Sequence, residues 1–267
     1  MKILQVVHSF LPQAFAGVEI HVYNLARILL EKHEVHVLHR VEDPGARDFD
    51  TTFGEYGGVP VVRLVNNHSG ARHAELELSE GVRRSFGAVL DRLAPDVVHF
   101  HHLSHLSIDL VDEVKARGIP SVCTLHDFWH ICCRVQLYIP GRGRCTGPTV
   151  FKCADCFDRH EALIRSMGRF RFLSPGAAKA WMNACSRVAW PDFMKRMGRR
   201  LDRLRGTLAE YDLIIANSHH TKRRHVRFGA PEKKIVVQRY GLDRSPLEAA
   251  RHGPSAAVRF GFLGSIV

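Results

Sequence analysis

The sequence predicts an α/β fold built on a parallel sheet with helices on both faces. Short apolar runs alternate with stretches of helical periodicity from the first residue onward. Strand, helix and strand at these spacings are the mark of a parallel sheet covered on both sides. Length and composition agree: 267 residues, 45% hydrophobic and 24% charged, suit one large domain or two small ones. A core of that size needs neither disulfides nor metal for its stability.

Ile3 to Val7 is the first strand. Val18, Val22, Leu25 and Leu29 then recur at helical spacing, which predicts an amphipathic helix from Val18 to about Lys32. Val35–Leu38 and Val59–Leu64 are the next strands, and a helix over roughly Glu75–Leu93 follows. Pro95 introduces the strand Asp96–His101. A helix from Ile108 to Arg117 stops at Gly118, and Pro120–Leu125 is again a strand. Leu213–Ala216, a helix opened by Asn217 or Ser218, and Ile235–Gln238 complete the series. In such sheets ligands bind beyond the carboxyl ends of the strands.

Two regions break the rhythm. Asp127 to Phe157 is a long loop bearing Gly, Pro and Cys, and loops of that length in compact domains are usually functional or held by metal. Residues 243–257 read as a linker, and Val258–Leu263 as a strand running into a Gly-Ser turn. The expected organisation is therefore one domain over 1–242, containing the Cys-rich loop 127–157, a linker over 243–257, and in 258–267 the first strand of a truncated second domain.

No stretch approaches the ~20 apolar residues of a membrane span. The opening Met1–His8 reads as a strand rather than a secretory leader, so a cytoplasmic protein is expected. Lys plus Arg number 38 against 27 Asp plus Glu, a net charge of +11, which favours anionic partners. Much of the excess falls late, in Lys195-Arg196, Arg199-Arg200, Arg203, Arg205 and Lys222-Arg223-Arg224. Met194, Met197, Leu201, Leu204 and Leu208 recur at three and four between these cations. The segment reads either as a docked helix with a solvated basic face or as a contact for an anionic membrane or lipid-phosphate acceptor, peripheral on the inner membrane face. Nucleic acid is not expected, because no recognition motif accompanies the charge.

Gly17, at the turn from the first strand into the first helix, would let backbone N–H groups approach a phosphate or sugar. Alone it is more often a plain turn. His99, His101, His102, His105, His126 and His130, with Asp127, offer metal ligands and hence a metal-dependent hydrolase. With 18 histidines clusters arise by chance, however, and no H-E-x-x-H spacing is present.

Taken together the segments are more specific. The opening strand, Ala16-Gly17-Val18-Glu19, Asn24-Leu25-Ala26, Pro95-Asp96-Val97-Val98-His99-Phe100-His101-His102 and Thr124-Leu125-His126-Asp127-Phe128-Trp129 resemble glycosyltransferase family 4, of GT-B fold. So do Ile214-Ile215-Ala216-Asn217-Ser218, Tyr240-Gly241-Leu242-Asp243 and Phe260-Gly261-Phe262-Leu263-Gly264, in the right order along essentially the whole chain. The resemblance implies a Rossmann-like acceptor-side domain facing a second, donor-binding one, and retaining transfer of a sugar from a nucleotide sugar to a glycan or lipid-linked acceptor. It places Gly17 behind the donor's phosphate and sugar, His126 on the transferred sugar and His101 on the acceptor side. No catalytic cofactor is implied, and the fragment by itself is expected to be inactive. Two positions depart from the family's habit: Ala16 where a second glycine is common, and Tyr240 where asparagine is.

Of seven cysteines, Cys132, Cys145, Cys153 and Cys156 follow C-x12-C-x7-C-x2-C, whose last pair is the tight knuckle of tetrahedral zinc sites. A similar loop occurs in a subset of the resembling enzymes. The competing reading is reduced, semi-buried thiols, with Cys133 able to replace Cys132. Structural zinc is thus a candidate, and a zinc-stapled binding module without catalysis is a further alternative.

Overall fold

The computed structural model describes residues 1–67, 78–139, 141–156, 175–241, 257, 258 and 260, without the side chains of 175–192. Its centre is an eight-stranded sheet. The strands are β1 (Lys2–Val7), β2 (Glu34–Val41), β3 (Thr51–Tyr56), β4 (Val59–Val65), β5 (Val97–Phe100), β6 (Ser121–Leu125), β9 (Leu213–Ala216) and β10 (Ile235–Val237). Their spatial order is β10-β9-β6-β5-β1-β2-β4-β3. Every pairing is parallel except that of β3 with β4.

Period-two alternation sends neighbouring residues of one strand to opposite faces, and two cores result. Ile3 and Val7 of β1 join Val22 and Ala26 of helix α1 (Gly17–Leu30) and Val35, Val37, Val59 and Val61 in one cluster. Leu4 and Val6 join Val82, Phe86 and Leu90 of α2 (Glu80–Leu93) and Leu110, Val111 and Val114 of α3 (Leu110–Ala116) in the other. Met197, Leu201, Leu204 and Leu208 of the long α4 (Pro175–Glu210) add to that second core, as their spacing predicts.

The expected solvated face of α4 is only partly so. Lys195, Arg199 and Arg205 are exposed, but Arg203 pairs with Asp112 and Arg200 is buried. Ser79 and Ser218 cap α2 and α5 (His219–Phe228), each accepting a bond from the N–H three residues on. Gly118 ends α3 at φ +64°, a conformation that favours glycine.

β3 is a strand that the apolar pattern does not announce. Its residues, Thr-Thr-Phe-Gly-Glu-Tyr, lie half-exposed or exposed on the sheet edge and hold their place by antiparallel register with β4. The loop 127–157 is more ordered than its lack of periodicity implies. It carries a two-stranded ribbon, β7 (Tyr138–Ile139) with β8 (Gly143–Arg144), and residues 150–156 are helical. No described helix is long and apolar enough to cross a membrane. The expected linker 243–257 and the strand Val258–Leu263 lie almost wholly outside the described residues.

Candidate functional site

Because seven of the eight strands run the same way, their carboxyl ends meet along one edge. Chain connections leave β1 toward β2 on one side, while β5 and its successors fill the other. The resulting crevice between β1 and β5 is where ligands of such sheets bind. His8 and Ser9 follow β1, His101 and His102 follow β5, His126 and Asp127 follow β6, Asn217 follows β9, and Tyr240 lies just after β10. Gly17 opens α1 beside them, and nothing lies within 4 Å of where its side chain would begin, so the backbone there is approachable. Ala16 stands at the cap position in extended conformation and supplies no capping side chain.

His101 and His126, expected on this edge, are brought into contact: His101 Nδ1 lies 3.0 Å from His126 Nε2. His126 Nδ1 lies 2.7 Å from the Tyr240 hydroxyl, and the Asn217 amide donates to the His126 carbonyl at 3.2 Å and to Tyr240 at 3.4 Å. His21 completes the group. It sits one helical turn after Gly17, on the same face of α1, with its ring centroid 5.1 Å from His126 and 4.5 Å from Tyr240. Among the described residues a single set of three His, Cys, Asp or Glu brings its ligand atoms within 4.8 Å of one another: His21, His101 and His126.

Burial sets the charge of this group. Desolvation, reinforced by His21, pushes His126 down to about 3. Desolvation and the rings of His99, His126 and His21 hold His101 well below its ordinary range, and desolvation lowers His21. At neutral pH the trio is therefore uncharged, each ring carrying one N–H and one lone pair. Such a surface matches hydroxyl groups, which both donate and accept, or a metal cation. It cannot neutralise a diphosphate.

Deeper in the crevice two carboxylates each meet a histidine. Glu19, 2% exposed, lies 3.4 Å from His8 Nε2 and accepts from the Ser9 hydroxyl. Asp127 lies 3.3 Å from His102 Nε2 and accepts from the Trp129 N–H. Burial opposes the charge of Asp127, but the bonds from His102 and Trp129 outweigh it and hold the carboxyl below its usual range. The His8 and His102 rings, 4.3 Å apart, connect the two pairs. His99 bonds Thr124, and His130 is buried beside His225, so neither belongs to the trio.

His21 and His8 escape motif reasoning, while Glu19 and Tyr240 stand in the quoted segments without a role. The one local signal is the spacing of four between Gly17 and His21, which places both on one helix face.

The cysteines gather as a group in the loop. Cys132 and Cys153 are buried, while Cys145 and Cys156 are half-buried. The Cys133 thiol donates to Cys153, lowering Cys153 to about 7 and raising Cys133. Arg200 faces the same pair and favours their thiolate forms. The loop thus gathers soft donors beside a buried cation, but no three of these sulfurs lie within 4.8 Å of one another, so zinc would have to draw them together.

Comparison with known proteins completes the picture. The profile of Glycosyltransferase Family 4 matches residues 15–245. No curated protein matches the chain. Similar solved structures include an E. coli trehalose-6-phosphate structure bound with UDP-2-fluoro glucose, at 13% identity and TM-score 0.49, covering 95% of this chain and 52% of that one. Sucrose-phosphate synthase from Thermosynechococcus elongatus is 13% identical at TM-score 0.47, covering 92% of this chain and 93% of that one. The Anabaena protein HepE in complex with UDP and glucose is 14% identical at TM-score 0.45, covering 92% and 46%. The chain spans about half the length of the first and third of these. With the family profile matched over most of its length, the chain belongs to glycosyltransferase family 4.

Proposed function

We propose that this chain is the acceptor-side half of a retaining glycosyltransferase that moves a sugar from a nucleotide-sugar donor to a glycan or lipid-linked acceptor. The observation that supports this most directly is the neutral imidazole group of His21, His101 and His126 at the carboxyl edge of the sheet, one helical turn from the open backbone of Gly17. Gly17 admits the donor's phosphate and sugar, His126 hydrogen-bonds a hydroxyl of the transferred sugar, and His101 fixes His126 from the acceptor side.

In the reaction the acceptor oxygen bonds the anomeric carbon on the face from which the diphosphate departs, and the acceptor proton passes to a leaving phosphate oxygen. No side-chain base is then required. The protein contributes positioning and electrostatics. Because the histidines are uncharged, the diphosphate must be met by cations elsewhere, which we assign to a donor-binding domain following residues 243–257. For the same reason the present 267 residues alone should not turn over a nucleotide sugar. Neither a metal-dependent hydrolase nor a non-catalytic zinc module finds support in the family match.

We place the enzyme in the cytoplasm, with the exposed Lys195 and Arg199 against an anionic membrane surface and the cysteine loop held by zinc at Cys132, Cys145, Cys153 and Cys156. The test of the central reading is His126→Ala in the enzyme completed by its second domain. Loss of one preorganised hydrogen bond should lower kcat roughly 10²-fold with the fold intact. Unchanged kinetics would remove His126 from the site.

A further inference from the structure

We propose that His21, His101 and His126 form a binding site for a divalent transition-metal cation of the Zn2+ or Co2+ type, with three imidazole nitrogens as ligands and a fourth position open to the crevice. The three ligand atoms already lie within 4.8 Å of one another, and the His101–His126 pair stands at 3.0 Å. Metal–imidazole bonds of about 2.0–2.1 Å in tetrahedral geometry place ligand nitrogens about 3.4 Å apart. Closing the set therefore needs the His21 ring to move inward toward the other two.

Further features belong to a metal site. The Tyr240 hydroxyl, 2.7 Å from His126 Nδ1, can accept that nitrogen's proton and turn the Nε2 lone pair inward. Outer partners of metal-bound histidines do the same work, and Asn217 in turn donates to Tyr240. The ligands also stand on rigid elements, His21 on α1 and the others at the ends of β5 and β6. An all-imidazole donor set suits zinc, cobalt, nickel or copper, and not the oxygen-seeking magnesium or calcium. His21 is only half-buried, which leaves the fourth position on the open side.

The site stands apart from the cysteine loop in both place and ligand chemistry, and its existence does not depend on the transfer reaction. Its consequence does: in the proposed enzyme a cation here occupies His126 and excludes the sugar.

Titration of the chain with Co2+, followed by absorption, tests the site. Thiolate-bound cobalt gives an intense near-ultraviolet charge-transfer band, whereas imidazole-bound cobalt gives visible ligand-field bands without it. The Cys153→Ser, Cys156→Ser double variant should still take up one equivalent of cobalt with ligand-field bands alone. His21→Ala, which removes a half-buried ligand from a helix face, should weaken that binding by more than about tenfold. Tyr240→Phe should weaken it by about 10- to 100-fold, and His219→Ala, at an exposed histidine, should leave it unchanged. Circular dichroism of each variant checks that the fold is kept. Failure of the double variant to bind cobalt, or equal affinity in His21→Ala, overturns the assignment.

Discussion

Lowering the pH from 7.5 to 5.5 should cost this protein a large part of its stability. Of the histidines held neutral by burial, five carry the argument: His8, His99 and His126 down to about 3, His39 and His225 to about 4. In the unfolded chain each returns to its ordinary value of 6.5. Between the two values the unfolded state binds protons that the folded state refuses, so stability is full above 6.5 and falls as the pH drops. At pH 5.5, one unit below the unfolded value, each contributes a loss of about 1.4 kcal/mol. Acting independently, the five would remove about 7 kcal/mol, against about 5–15 kcal/mol for a typical domain. His8 and His126 share charged neighbours, and half of that sum, between about 3 and 4 kcal/mol, still lowers the folding equilibrium constant by about several hundredfold. Asp127 does not confuse the window, because it is held below its ordinary value of 3.8 and titrates at lower pH still, whereas Glu210, raised by burial, works in the opposite direction. Urea unfolding followed by circular dichroism at the two pH values reads the difference. An unfolding midpoint that stays put from pH 7.5 to 5.5 would refute the buried-neutral reading of these rings.

Ser218→Ala removes the bond from the Thr221 N–H that caps α5 and should cost about 1 kcal/mol, seen as a lower melting temperature; no change would show that water replaces the cap. After dialysis against a chelator that strips the open histidine site, elemental analysis should give about one zinc per chain, lost in the Cys153→Ser, Cys156→Ser variant. A metal-free chain whose loop resists protease equally well would make these cysteines packing residues. Vesicles containing anionic lipid should sediment the protein, at about 1 kcal/mol per exposed cation, and Lys195→Glu with Arg199→Glu should abolish the effect. Equal binding to neutral vesicles would rule out the charge contact.

What could be read from the sequence, and what could not, divides by the range over which each feature is determined. β1, β6 and β9 are apolar runs whose own residues announce them, and Leu213–Ala216 is a strand at the bounds its composition predicts. His101 and His126 are legible because they sit at carboxyl ends of such runs, a position that carries meaning in any parallel sheet. β3 fails this test: Thr51–Tyr56 becomes a strand only through its pairing with β4. Arg200 fails it too, since a cation on an amphipathic helix reads as solvated until the cysteine loop is laid over it. The trio shows the same limit most sharply. His21 reaches His126 across more than one hundred residues, and Tyr240 reaches it from the other direction across 114. No local spacing of the kind that marks a helical zinc motif can encode this arrangement. The parallel winding encodes it instead, by returning every strand to the same edge and gathering there whatever follows each one. In this fold the informative question about a histidine is therefore which strand it ends or which helix turn it faces, and His21, one turn beyond Gly17, answers it as well as His126 does.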